Sequence, residues 1–268
     1  MKHLILFDLH YQNSNPFSRK KLEAIVKIKE DFGGLILGGD NAELSSNLQN
    51  HRVLFDRLKR RFECPTGFVV GNHELWGRLG NISSQKLLNE IFPALAEKYN
   101  FVYLEQKNLD IDDISFIGTY GHFDYSLLQP NKGVLIEDLL KGTFITEGKR
   151  ITWQDRLYMD WENKRDETVC AEIINKFNER IRTSTGIKIT ISHTIPRLFL
   201  HGWPDSPKQY FLKSYSGSNL IGDILEASDG EYHFCGHTHA KARAKIRKTT
   251  AINVGSEDNL LRYVILNT

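Results

Sequence analysis

The sequence predicts an α/β fold built on parallel strands, and three features carry that expectation. Apolar runs of strand length alternate with helix-length amphipathic stretches over the first 72 residues. Each run stops at a glycine or a cluster of polar side chains. Strand-like runs return after residue 186, again with polar residues directly behind them. Such alternation implies parallel strands joined by right-handed crossovers.

The elements follow in order. Leu4–Phe7 is a short apolar strand that leads into Asp8-Leu9-His10 and a polar loop. From Arg19 to Asp31 the apolar residues Leu22, Ile25, Val26 and Ile28 recur at near-helical spacing, so a helix is expected there. Gly33-Gly34 breaks it. Leu35–Leu37 is the next strand and ends in Gly38-Gly39-Asp40-Asn41. A helix over about Arg52–Phe62 then leads to a strand that ends at Asn72. A helix over Gln85–Tyr99 precedes three short β-like runs, the last at Ile114–Ile117. Residues 119–185 leave the alternation, with an aromatic loop (TYGHFDYSLLQP) and charged helical tracts, and read as a mostly helical insertion over the sheet. Strands are expected again at Ile187–Ile191, Tyr232–Cys235, Ala240–Ile246, Ala251–Val254 and Tyr263–Leu266. A Pro-containing loop and a helix near Leu220–Ala227 lie between the first two.

Composition narrows the function classes. Charged residues make up 25% of the chain and the net charge is +2, too little to argue for nucleic acid or an acidic membrane surface. No apolar run approaches the roughly 18 residues that span a bilayer, and Leu4–Phe7 is too short for a signal-peptide core. Cys64, Cys170 and Cys235 are odd in number and widely spaced, which fits a reduced compartment; the expectation is a cytoplasmic protein of one domain over residues 1–268.

The chemistry sits at the strand ends. In parallel sheets the loops behind the strands' carboxyl ends share one edge, where ligands bind. That edge would collect Asp8, His10, Asp40, Asn72 and His73, and the later strands add His193, His237 and His239. Carboxylates, imidazoles and an amide oxygen suit Mn²⁺, Fe or Zn²⁺. Seven of these eight residues would already exceed one tetrahedral ion and match two ions sharing a carboxylate. Taken singly, each signal has a plainer reading. Asp8-Leu9-His10 alone would be turn and capping chemistry, Asn72 a turn residue, and His193 a satisfied strand-end histidine. Five such blocks in one order, each at a predicted strand end, make coincidence a poor account.

Those blocks, DLH at 8–10, GGDN at 38–41, GNHE at 71–74, ISH at 191–193 and GHTH at 236–239, resemble the ordered motifs of the calcineurin-like metallophosphoesterases. The resemblance covers residues 5 to about 255 and implies a four-layer αββα sandwich of two mixed sheets flanked by helices. It implies that Asp8, His10 and His239 hold one metal and that Asn72, His193 and His237 hold the second. Asp40 would bridge them together with a hydroxide, the nucleophile toward phosphorus. His73 would contact the phosphate and assist the leaving group. Glu74 stands where the family has Asp or Glu, as a support. Phe7 departs from the small residue usual before the first Asp, and no arginine follows Gly39-Asp40 as in some protein phosphatases. WQDRLYMDW at 153–161 is similar to an insertion in certain bacterial members.

The implied activity is hydrolysis of a small-molecule phosphomonoester or phosphodiester. Alternatives are a nuclease, with nucleic acid as a possible but disfavoured partner, and a non-catalytic scaffold. Other clusters stay open. Lys241, Arg243, Lys245 and Arg247 form one basic strand face, a charged edge or a phosphate groove. His122, Phe123, Tyr125, Trp153, Tyr158 and Trp161 either wall a substrate pocket or anchor helices. His201, Trp203 and Lys208 lie on the Pro-rich loop after His193, where specificity is often set. His3, His51 and His233 read as surface or strand residues.

Overall fold

The computed structural model describes residues 1–129, 131–256 and 260–268; Pro130, the last residue of the aromatic loop, lies outside them. The first sheet contains β1 (Lys2–Leu6), β2 (Gly34–Gly38), β3 (Thr66–Val69) and β4 (Val102–Tyr103), all parallel. Helix α1 (Pro16–Val26) joins β1 to β2, and α2 (Gln49–Arg61) joins β2 to β3. The Asn15 side chain accepts from the first backbone N–H groups of α1, and Pro16 opens the helix, a favoured start. The helix ends at Val26 rather than Asp31, because Ile28 continues to pack on the core from the loop and so extends the apolar spacing past the helix. Between β3 and β4 the expected helix is present as α3 (Ser84–Lys86), a π turn at Leu87–Ile91 and α4 (Phe92–Tyr99).

The second sheet is assembled from β5 (Leu109–Ile111), β6 (Ile114–Thr119), β9 (Ile187–Ser192), β10 (Tyr232–Cys235), β11 (Ala242–Ile246) and β12 (Thr249–Asn253), in the order β11-β12-β10-β9-β6-β5. Its central four strands, β6, β9, β10 and β12, are parallel. The tract at 119–185 holds α5 (Ile136–Lys141), a hairpin of β7 (Thr143–Thr146) and β8 (Lys149–Thr152), α6 (Gln154–Tyr158) and α7 (Asp166–Thr183). The tract is thus not all helical. Its longest helix, α7, is the crossover from β6 to β9 and packs on the second sheet as part of a regular layer. The Pro-rich loop gains a short helix, α8 (Pro207–Lys213), that the sequence reading lacks; α9 (Asn219–Ala227) lies where expected. The last strand, β13 (Tyr263–Asn267), runs antiparallel to β1 at the edge of the first sheet.

Alternation along the strands builds the layers. Leu4, Leu6, Leu35, Leu37, Phe68 and Val70 cluster with residues of α1, α2 and α4 on the outer face of the first sheet. Ile5, Phe7, Ile36 and Val69, from the same strands, meet Phe116, Ile189, Ile191 and Phe234 of the second sheet. Ile117, Cys235 and Ala251 pack outward against α7 and α9. The result is an αββα sandwich. Phe7 is fully buried in the middle layer, and glycines make its room: a Cβ on Gly38 would stand 2.1 Å from the Phe7 ring, and one on Gly236 2.7 Å from it. Strand β11, with its basic face, is an edge strand, as the charged-edge reading expects. No helix among the described residues is long and apolar enough to cross a membrane.

Candidate metal centre

The carboxyl ends of β1, β2 and β3 from one sheet and of β9 and β10 from the other meet at one edge of the sandwich. Every residue singled out at a strand end is there. Asp8, His10, Asp40 and His239 form one cluster able to hold a cation, and Asp40, His193 and His237 form a second. Asp40 belongs to both. Its Oδ2 lies 3.5 Å from His10 Nε2 and 3.4 Å from His193 Nε2. Asn72 Oδ1 stands 3.0 Å from both His193 Nε2 and His237 Nδ1.

Backbone geometry bends each side chain inward. Asp8, His10, Asp40, His237 and His239 all have positive φ, between 45° and 69°. Left-handed backbone is unusual outside glycine and collects at functional sites. The kinks are tied to each other: Asp8 N–H donates to Gly39 O, His10 N–H to Asp40 O, and His237 N–H to Asp8 Oδ1. Glu74, fully buried, accepts from the backbone of Asn41 at 2.7 Å and of Gly71 at 2.6 Å, so it pins the two loops that carry Asp40 and Asn72. His51 Nε2 lies 3.3 Å from that carboxylate. This corrects the reading of His51 as a surface or strand residue: it is buried on α2, where the Glu74 carboxylate needs a neighbour.

Electrostatics mark the site as charged. Burial alone would raise the Asp40 carboxyl, but His193, His73 and His10 outweigh it and hold it well below the usual range. His193 is pushed up to about 9: burial opposes the charge, and the Asp40 and Asp8 carboxylates prevail. His237 moves the other way, because it is desolvated and faces His193.

Sequence reasoning missed Glu43. Its carboxylate lies 2.9 Å from Nδ1 of His10 and 2.9 Å from Nδ1 of His73, and against desolvation these two imidazoles hold it at about 2. His73 itself rests on the Trp76 ring, 3.8 Å between centroids, and is pushed up to about 9; burial opposes, while Asp40 and Glu43 raise it. Glu43 lies three residues past Asp40, and that spacing was the one available signal.

A family model for the calcineurin-like phosphoesterases matches residues 1–241. The chain belongs to this family. It is therefore a hydrolase of phosphoric esters. The fold of this phosphoesterase is similar to that of phosphopantetheinyl hydrolase from Mycobacterium tuberculosis, with a TM-score of 0.78 at 18% identity, covering 98% of this chain and 95% of that one. It is also similar to a candidate 5′-nucleotidase from Staphylococcus aureus, with a TM-score of 0.50 at 16% identity over 100% of this chain and 51% of the other. Comparison with curated proteins finds no match.

The phosphoesterase's own donors fit cations. His193 Nδ1 faces the Gly38 carbonyl at 3.3 Å, so Nε2 is the nitrogen aimed at two oxygens, of Asp40 and Asn72: without a cation a proton on Nε2 meets them, and the neutral ring presents a lone pair there instead. His10 Nδ1 faces Glu43 in the same way, and its Nε2 lies 3.2 Å from His239 Nε2. Asp8 Oδ2 is buried with no partner. Lone pairs converging in this manner repel unless positive charge stands among them.

The remaining predicted groups divide. His122, Phe123, Tyr125 and Trp161 are buried and anchor the tract after β6. Trp153 and Tyr158 are half-buried; Trp153 stands edge-on to His237 at 5.9 Å, and Tyr158 packs on Trp76. The exposed Trp203 donates its indole N–H to the carbonyl of Thr238, at 2.5 Å, between His237 and His239. His201 is buried, its Nδ1 facing the backbone N–H of Trp203 at 3.4 Å, and Lys208 lies on α8.

Proposed function

We propose that this chain hydrolyses a phosphomonoester or phosphodiester of a small molecule at a centre of two metal ions. Asp8, His10 and His239 would hold one ion, Asn72, His193 and His237 the other, with Asp40 shared between them. The observation that supports this best is Asp40, among the described residues the one carboxylate common to two clusters of otherwise separate donors. Mn, Fe or Zn ions suit the donors. When bound, such a pair supplies charge neutralisation at the phosphoryl oxygens and a more acidic water.

The protein groups do the rest. Asp40 and Asp8 carry the negative charge that retains the ions, and the strand ends keep their donors in fixed positions. His73 Nδ1 is engaged by Glu43, so Nε2 is the nitrogen free to turn to the substrate. With the imidazolium favoured by Asp40 and Glu43, His73 donates a proton to the leaving oxygen, a general-acid role. The Trp76 ring beneath His73 limits the orientations open to the imidazole.

The test compares an aryl phosphate monoester with the matching bis-aryl diester, with Mn²⁺ added back after chelation. Hydrolysis of either, lost on chelation and restored by Mn²⁺, is the expected result, and the faster substrate fixes the ester class. No hydrolysis of either by protein that has bound two ions would refute the enzymatic reading and favour a scaffold.

A further inference from the structure

We propose that Asp155, carried on α6 and distant in sequence from Asn72, is a positioning residue for the metal centre: it sets the amide of Asn72 with its oxygen toward the ions and anchors the indole on which His73 rests. This rests on the site reading given under Proposed function. A single oxygen of Asp155, Oδ1, accepts from Asn72 Nδ2 at 2.9 Å and from Trp76 Nε1 at 2.7 Å. The residue is 2% exposed, so neither bond is a loose surface contact.

The direction of the Asn72 amide follows from chemistry. An ionised carboxylate only accepts hydrogen bonds. The NH₂ group must therefore face Asp155, which leaves Oδ1 facing His193 Nε2 and His237 Nδ1, each at 3.0 Å. With Asp155 removed, nothing on that side distinguishes the amide's two ends, and the flipped form would turn N–H groups toward the cations. The same stretch reaches the other imidazole of this cluster, since Trp153 stands edge-on to His237 and stacks on Tyr215 with centroids 4.9 Å apart. The tract after β6 thus completes the half of the centre made by Asn72 and His237. Asp155 Oδ2 is buried with no hydrogen-bond partner among the described residues. A buried carboxylate with one idle oxygen is an expensive way to fill space, so the role lies with the oxygen that accepts twice.

The test titrates Mn²⁺ into chelated protein by calorimetry, for wild type, Asp155→Leu, Asp155→Ala and Asp155→Asn, with the melting temperature of each apo form measured in parallel. Losing a group that orients a ligand typically weakens metal binding by about 10–100-fold. In Asp155→Leu that loss is expected for one of the two ions, the one assigned to Asn72, His193 and His237, with the other little changed. Asp155→Ala repeats the test without added bulk should Leu prevent folding. Asp155→Asn keeps a carbonyl oxygen able to accept both bonds, so its affinities are expected within about threefold of wild type. Wild-type binding in folded Asp155→Leu or Asp155→Ala would overturn the proposal. So would Asp155→Asn falling as far as Asp155→Leu, because charge rather than acceptor geometry would then be at work. Wild type binding fewer than two ions would refute the site reading and this proposal together. Two ions bound without hydrolysis would refute only the enzymatic reading, and the titrations would still judge Asp155.

Discussion

Replacing Glu43 by Gln tests the coupling of the proposed metal centre to His73, the imidazole proposed as general acid. The wild-type carboxylate lies 2.9 Å from Nδ1 of both His10 and His73. Gln offers one oxygen and one NH₂ group, so it can accept from one ring while its own N–H groups confront the other. A hydrogen bond to a charged group contributes about 1.5–3 kcal/mol, and about 1.4 kcal/mol is tenfold in rate. Loss of the bond to His73 at the upper end of that range, about 2.7 kcal/mol, lowers kcat about 10²-fold. If the His10 bond is the one lost, Mn²⁺ affinity falls by about 10–100-fold, the usual effect of removing a partner of a metal-binding histidine. The assay measures kcat at saturating Mn²⁺ and, separately, the Mn²⁺ concentration for half-maximal activity. At least one of the two must move by tenfold or more. If kcat changes by less than about threefold and the Mn²⁺ midpoint stays put, the carboxylate orients neither ring and the argument fails.

Three further perturbations follow from the same geometry. His73→Asn is expected to keep its metal content, measured by elemental analysis, and to lose about 10²–10⁴-fold in kcat; full turnover would remove His73 from the leaving-group role. A Cβ on Gly71 would stand 2.1 Å from Asp40 Oδ1 and 2.4 Å from its backbone nitrogen, so Gly71→Ala should displace Asp40 and lower bound metal per chain, while undiminished metal content would show that the loop yields freely. His233 is buried between Thr190 Oγ1 and Ser192 Oγ, both at 3.0 Å, and desolvation lowers it from 6.5 to about 3. The unfolded chain therefore binds the proton first: stability is complete above about pH 6.5 and is lost as the pH falls toward 3. At pH 5 this amounts to about 2 kcal/mol. Denaturant unfolding at pH 7.5 and 5.0 should show that acid-dependent loss shrinking in His233→Gln, and equal losses in both proteins would contradict it.

What the sequence made legible was the strand ends. Runs such as Leu35–Leu37 and Phe68–Val70 are continuously apolar because the sheets are covered on both faces, and the abrupt change to Gly-Gly-Asp-Asn or Gly-Asn-His-Glu marks where each strand stops. Continuous runs also hide information. Nothing in Leu-Ile-Leu tells that Ile36 faces the second sheet while Leu35 and Leu37 face the helices. Nor does local pattern reveal that β13 returns to pair with β1, since that contact joins opposite ends of the chain. Asp155 was hidden for a related reason. On a short amphipathic helix rich in charge it looks like any solvated acid, and only the approach of Asn72 and Trp76 from β3's loop makes it a buried acceptor.

The left-handed residues connect fold to function. A non-glycine residue with φ near 50° costs on the order of 1 kcal/mol or more, and five of them stand at one edge. Packing alone gives no reason to keep such residues, because glycine would relieve the strain at Asp8, His10, Asp40, His237 and His239. The strain is tolerable because the kinks follow buried strands and those at Asp8, His10, Asp40 and His237 are tied to one another. The Asp8 carboxylate holds the His237 backbone across the two sheets, and the Asp40 carboxylate holds the backbone N–H of His73 at 3.0 Å. These oxygens therefore fix the backbone as well as facing the clusters. Bound cations would stabilise the native chain by mass action. At a kink that carries no such carboxylate, His239→Gly should raise the melting temperature of the metal-free protein while reducing the further rise that Mn²⁺ adds, and an unchanged Mn²⁺ increment would contradict this account.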